Sequence, residues 1–122
     1  MTENIVIWGR EFDIIIDFDL YPNETVSDEQ TARLKSFISN KELLSDNKNI
    51  SEYCLKNNRN EIGSSIDNIF KYVIPTAILI PKENDRKQIF LFLDYKFDIE
   101  HGLAIVYENN QFISIVPQDD VL

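Results

Sequence analysis

A chain of 122 residues, 43% of them apolar and 27% charged, is long enough to bury one core and too apolar to stay disordered, so a single domain spanning residues 1–122 is expected. The net charge of −9 argues against a nucleic-acid partner, which needs clustered Lys and Arg, and no apolar run approaches the ~18–20 residues of a bilayer crossing, so no membrane is expected either. Cys54 is the sole cysteine and leaves no internal disulfide; residues 1–19 carry acids where an export signal would carry Lys or Arg, and the expected setting is the cytoplasm.

Residues 4–8 (Asn4-Ile5-Val6-Ile7-Trp8) read as a short strand, with Gly9-Arg10 as the turn after it. Residues 11–19 alternate, with Phe12, Ile14, Ile16 and Phe18 on one side and Glu11, Asp13, Ile15, Asp17 and Asp19 on the other, which is a strand with one buried face. Tyr21-Pro22-Asn23 breaks the pattern. Ser27 and Gln30 make a capping box, and the helix it opens runs to about Asn40 with Thr31, Leu34, Phe37 and Ile38 toward the core.

Residues 43–60 are polar and Asn-rich, yet Ile50, Tyr53 and Cys54 share one helical face, with Ser51 or Asn49 as a cap. Ile62, Ile66, Ile69, Phe70 and Val73 recur at helical spacing and predict another helix, starting as late as Ser64 or Ser65 and ended by Pro75. Four strands follow at 76–80, 88–95, 103–108 and 111–116. Their links are 81–87, 96–102 and Asn109-Asn110, the last suited to a tight hairpin because Asn tolerates positive φ. Short links make neighbouring strands antiparallel. The expected fold class is α+β: an antiparallel sheet of about six strands, two N-terminal and four C-terminal, with two or three helices packed on one face.

Chemistry-bearing patterns are few. No Ser, Cys or Lys nucleophile stands beside a partner His, and three glycines form no phosphate loop, so neither a catalytic residue nor a cofactor is assigned. His101, the one imidazole, lies in Asp98-Ile99-Glu100-His101-Gly102. One reading makes it a metal ligand or general base among Asp94, Asp98, Glu100 and Glu108. The other makes the segment a turn held by side-chain to backbone hydrogen bonds, with Gly102 supplying a φ that other residues resist. The turn is favoured: zinc usually takes two or three imidazole or thiolate ligands, and no metal ligand is assigned here.

The charge is unevenly spread. Residues 1–30 hold eight acids against Arg10 alone, residues 31–81 five acids and seven bases, and residues 82–122 eight acids and four bases. On the early strand, alternation gathers Glu11, Asp13, Asp17 and Asp19 on the outward side. That row is either a solvated face that resists aggregation or a docking surface for a basic protein, whose approach it would speed. Phe12, Phe37 and Phe70 fall on apolar sides, Trp8, Tyr21, Tyr95, Phe97 and Tyr107 at strand ends or turns, and Cys54 reads as a small buried hydrophobe.

The run Phe92-Leu93-Asp94-Tyr95-Lys96-Phe97-Asp98-Ile99-Glu100-His101-Gly102-Leu103-Ala104-Ile105-Val106-Tyr107-Glu108, followed by Gln118-Asp119, resembles a family of uncharacterised bacterial domains. That family has a D-x-E-H-G-L-A strand motif and a Gln-Asp ending. The Ser27-Asp28-Glu29-Gln30 helix start and the helix through Tyr53 resemble it too, so the likeness covers most of the chain. Phe97 stands where the pattern has Trp, and Asp120 where it has an apolar residue. The family is similar in size, acidity and setting to small immunity proteins encoded beside toxins. Together with the −9 charge and the carboxylate row, the resemblance implies a non-enzymatic acidic binding module for a basic toxin domain. The alternatives are a small hydrolase or metal-dependent enzyme centred on His101, Asp98 and Glu100, and a structural subunit that dimerises through a strand edge.

Overall fold

The computed structural model describes residues 1–82 and 85–122. Strands β1 (Thr2–Ile7) and β2 (Arg10–Phe18) form an antiparallel hairpin closed by the pair Ile7↔Arg10. Its two-residue loop is Trp8-Gly9, one position earlier than expected, with φ of 52° and 84°. Positive φ at both loop positions is the type I′ form, whose twist matches that of the strands, and Gly9 takes its second position.

Helices α1 (Asp28–Ser39) and α2 (Lys48–Ile62) come next, then β3 (Val73–Ile80), β4 (Gln88–Tyr95), β5 (Leu103–Glu108) and β6 (Gln111–Pro117). The strands make one sheet in the order β1-β2-β3-β4-β5-β6. Four of its seams are antiparallel, but β2 and β3 run parallel. The sheet is therefore mixed, not antiparallel as expected. Short links govern each of its two blocks; the junction between them is the long crossover through residues 19–72, the kind of connection parallel neighbours require. Of the 81–87 link, residues 83 and 84 lie outside the described residues.

Ser27 caps α1 as its sequence predicts: Gln30 N donates to Ser27 Oγ at 3.0 Å, and Ser27 N donates to Gln30 Oε1 at 3.1 Å. The other end of that amide reaches the sheet, donating to Asp19 O at 3.0 Å and to Ile80 O and Pro81 O at 3.3 Å. One buried side chain thus both starts the helix and ties it to the ends of β2 and β3. The α2 cap is Asn47 instead of Asn49 or Ser51.

The third expected helix does not form. Gly63 at φ 105° ends α2 just after Ile62, and of the apolar period beyond it only a single 3-10 turn, Ile69–Lys71, is helical. Those side chains still face the core: Ile69 is buried, and Phe70 packs on Phe12 with ring centroids 5.3 Å apart. Pro75 does not end a helix but sits inside β3, where the register to β4 shifts between Pro75 and Ala77. A bulge is where a strand tolerates a missing N–H.

The core lies between the helices and one face of the sheet. Phe37 of α1 is fully buried against Tyr107 of β5, ring centroids 4.9 Å apart. Ile14, Ile78, Leu91, Leu93 and Ile105 come from the inward strand positions, and Ile50 and Cys54 from α2. At about 1.5–3 kcal/mol for each large side chain taken out of water, this layer supplies the main drive for folding.

Candidate functional site

Paired residues in a sheet share a face, so the registers show what the helix-free side carries. The pairs Ile15↔Ala77, Ala77↔Phe92 and Phe92↔Ala104 cross its middle, and Asp17↔Leu79, Leu79↔Phe90 and Phe90↔Val106 run beside them. Phe90 and Val106 are buried there, at 7% exposure each, and Ala104 is fully buried between its neighbours. Phe92, Ala77 and Leu79 are half-buried, and Ile15 is exposed. Neither helix lies on this face. The result is an apolar centre on an uncovered sheet surface.

Carboxylates surround that centre. Glu11, Asp13 and Asp17 are exposed along β2 as alternation predicts, and Asp19 is exposed just past the strand end. Asn4 Nδ2 donates to Asp13 Oδ1 at 3.2 Å. Two further acids join them on the same face: Asp94, opposite Ile74, and Glu108, opposite Gln88. The paired positions of this face hold five carboxylates and no Lys or Arg.

Sequence reasoning missed the apolar centre and these two acids. The available signal was Ile89-Phe90-Leu91-Phe92-Leu93 in β4, a strand apolar on both sides where a half-buried strand would alternate.

The second cluster is the turn between β4 and β5. Asp98 O accepts from Gly102 N at 2.9 Å, and Asp98 Oδ1 accepts from His101 N at 3.3 Å and lies 2.9 Å from His101 Nδ1. That hydrogen bond, with the attraction between the two charges, holds His101 above the usual imidazole value and Asp98 below the usual carboxylate value. His101 Nε2 lies 3.7 Å from Asp119 Oδ2. Asp94 and Glu108, grouped with His101 from the sequence, instead belong to the uncovered face, and Glu100 is exposed.

Gln118 closes the same corner. Its Nε2 donates to Leu93 O at 3.1 Å and Leu103 O at 3.4 Å, joining the chain's end to β4 and β5. It crosses directly over Gly102, where a Cβ would meet Gln118 Nε2 at 2.5 Å and Leu93 O at 2.7 Å. Gly102 is also at φ 63°. Residues 98–102 and 118–119 thus meet in space as one clasp. His101 and Asp98 have side chains 45% and 42% exposed, so water screens the pair. Among the described residues no group of three or more His, Cys, Asp or Glu side chains is placed to hold a metal ion.

Cys54 is fully buried, and burial pushes its thiol up to about 11. Tyr95 Oη donates to Asn58 Oδ1 beside it, at the point where α2 loses helical geometry. A thiol kept protonated and enclosed is packing material, not a nucleophile. No helix among the described residues is long and apolar enough to cross a membrane.

Comparison with known proteins yields one family finding: the model described as "Domain of unknown function (DUF6985)" matches residues 2–122. No curated protein and no solved structure matches the chain.

Proposed function

The chain belongs to the DUF6985 family, which brings no activity with it, and from its surfaces we propose that it is a non-enzymatic acidic binding module whose uncovered sheet face takes a basic protein. The observation that carries this reading is the composition of that face: five carboxylates, no base and an apolar centre at the paired positions. Protein interfaces combine such an apolar core with a polar rim. Single-signed charge on the rim speeds encounter with a partner of opposite sign and rejects others. A cytoplasmic immunity protein that masks a basic toxin domain fits this description, and the resemblance noted above points the same way.

The test is direct. The purified chain is titrated at low and high salt with the products of its neighbouring genes, a basic toxin domain among them being the expected partner. A complex that weakens as salt rises, and weakens further with Asp13→Asn and Asp17→Asn together, supports the proposal. Both positions are exposed, so the fold should survive the change. Absence of a complex at low salt, or one indifferent to both substitutions, rejects it.

A further inference from the structure

We propose that β1 is the contact edge of a symmetric dimer, in which β1 of a second copy pairs antiparallel with it and joins the two sheets into one. The hairpin ladder shows which groups are available. Ile16 N donates to Met1 O at 2.9 Å, and the register continues through Glu3↔Ile14, Ile5↔Phe12 and Ile7↔Arg10. In an antiparallel pair, alternate residues bond inward. The N–H and C=O of Thr2, Asn4 and Val6 therefore point away from β2, along the free edge of the sheet.

The two edges of the sheet differ. At β6 the register shifts between Val106 and Tyr107 and the strand ends at Pro117, both devices that block pairing. Along β1 the register is unbroken, and Thr2-Glu3-Asn4-Ile5-Val6-Ile7 contains no proline and no lysine. Two apolar hollows flank it under the end of α1. One, of about 560 Å³, is lined by Met1, Glu3, Leu34, Lys35 and Ile38 among others. The other, of about 500 Å³, is lined by Ile5, Val6, Ile38, Lys41 and Leu44 among others.

This edge is complementary to itself. Pairing Asn4 with Asn4 of the second copy puts Thr2 opposite Val6, and all three outward residues of each strand bond, making six hydrogen bonds across the junction, three N–H donors from each copy. No other register uses all of them. On the helix side the same register sets Glu3 opposite Ile5 of the second copy, whose hollow is also lined by Lys41. Each Glu3 then meets a Lys41, twice by symmetry, and both side chains are exposed in the single chain. That charge match singles out a second copy as the occupant.

Sedimentation equilibrium of the full chain tests this. The expected result is a concentration-dependent species of twice 14.3 kDa. Asn4→Pro removes an outward N–H that β2 does not use, so it should yield a folded monomer, checked by its melting curve. Glu3→Lys and Lys41→Glu should each weaken the dimer by about tenfold, and the double swap should restore it. A chain that stays monomeric up to roughly 1 mM overturns the proposal, as does a dimer indifferent to Asn4→Pro. A double swap no tighter than the single variants overturns the register.

Discussion

Replacing Gly102 by Ala tests the clasp at the end of the sheet. The φ of 63° is left-handed, which costs an L-residue about 1–2 kcal/mol. The added methyl would also stand 2.7 Å from Leu93 O, a backbone atom inside the sheet, and 2.5 Å from Gln118 Nε2. The amide is the softer neighbour, so it moves, and its hydrogen bonds to Leu93 O and Leu103 O break at about 1 kcal/mol each. The sum is at least about 3–4 kcal/mol, because moving the amide leaves the backbone contact with Leu93 O unrelieved. Unfolding entropy of about 2.1 cal/mol/K per residue over 122 residues converts this to a fall in Tm of about 14 °C. Calorimetry measures it directly. Gln118→Ala alone should cost about 1–2 kcal/mol, and the double variant should cost less than the sum of the two, because the displaced amide is already gone. A loss under about 1 kcal/mol for Gly102→Ala, or strict additivity with Gln118→Ala, would refute the contact reasoning.

Gln30→Ala removes the helix cap partner and the donor shared by three strand-end carbonyls, so denaturant unfolding should show a loss of about 2–3 kcal/mol; an effect below about 1 kcal/mol counts against the tie. His101 has the only imidazole resonance, which should titrate above 6.5 and move down in Asp98→Asn. A folded-state imidazole value above 6.5 adds stability that is lost as pH rises through it, and a carboxylate value below 3.8 adds stability lost as pH falls through it. The stability gap between the native chain and Asp98→Asn should therefore be widest between those two ordinary values and narrow on both sides. A gap flat across pH would show that the pair contributes nothing through its charges. Cys54 should resist thiol reagents at neutral pH and react only as fast as the chain opens; rapid labelling of the folded protein would contradict its burial.

Local signals in the sequence were dependable where one interaction decides the outcome. The alternation of β2, the capping box at Ser27 and Gln30, and the Asn109-Asn110 hairpin, with φ of 50° and 61°, were all legible. The parallel β2–β3 seam was not, because nothing local records which strands a long crossover brings together. The expected helix at 62–73 failed for a different reason. Its apolar spacing is real and those side chains do face the core, but Gly63 at φ 105° and the two serines after it stop helix propagation. The burial of the polar side chains of α1 against the sheet was hidden as well. Arg33 is 6% exposed, ion-paired with Glu29, and donates to Gln88 O at 2.7 Å, an arrangement visible only once the sheet is beside the helix. The acidic row was readable from alternation, whereas its apolar neighbour needed the registers of four strands.

The crossover between β2 and β3 also sets the order in which the molecule can mature. The β1–β2 hairpin and the β3–β6 meander are each built from near neighbours in sequence and close early, while the seam joining them waits for the whole helical segment to collapse. Until then the hairpin has no neighbour on its β2 side. Mutations at the seam, such as Ala77 or Ile15, should therefore register in the slowest folding phase, and those in the meander turns in the earliest.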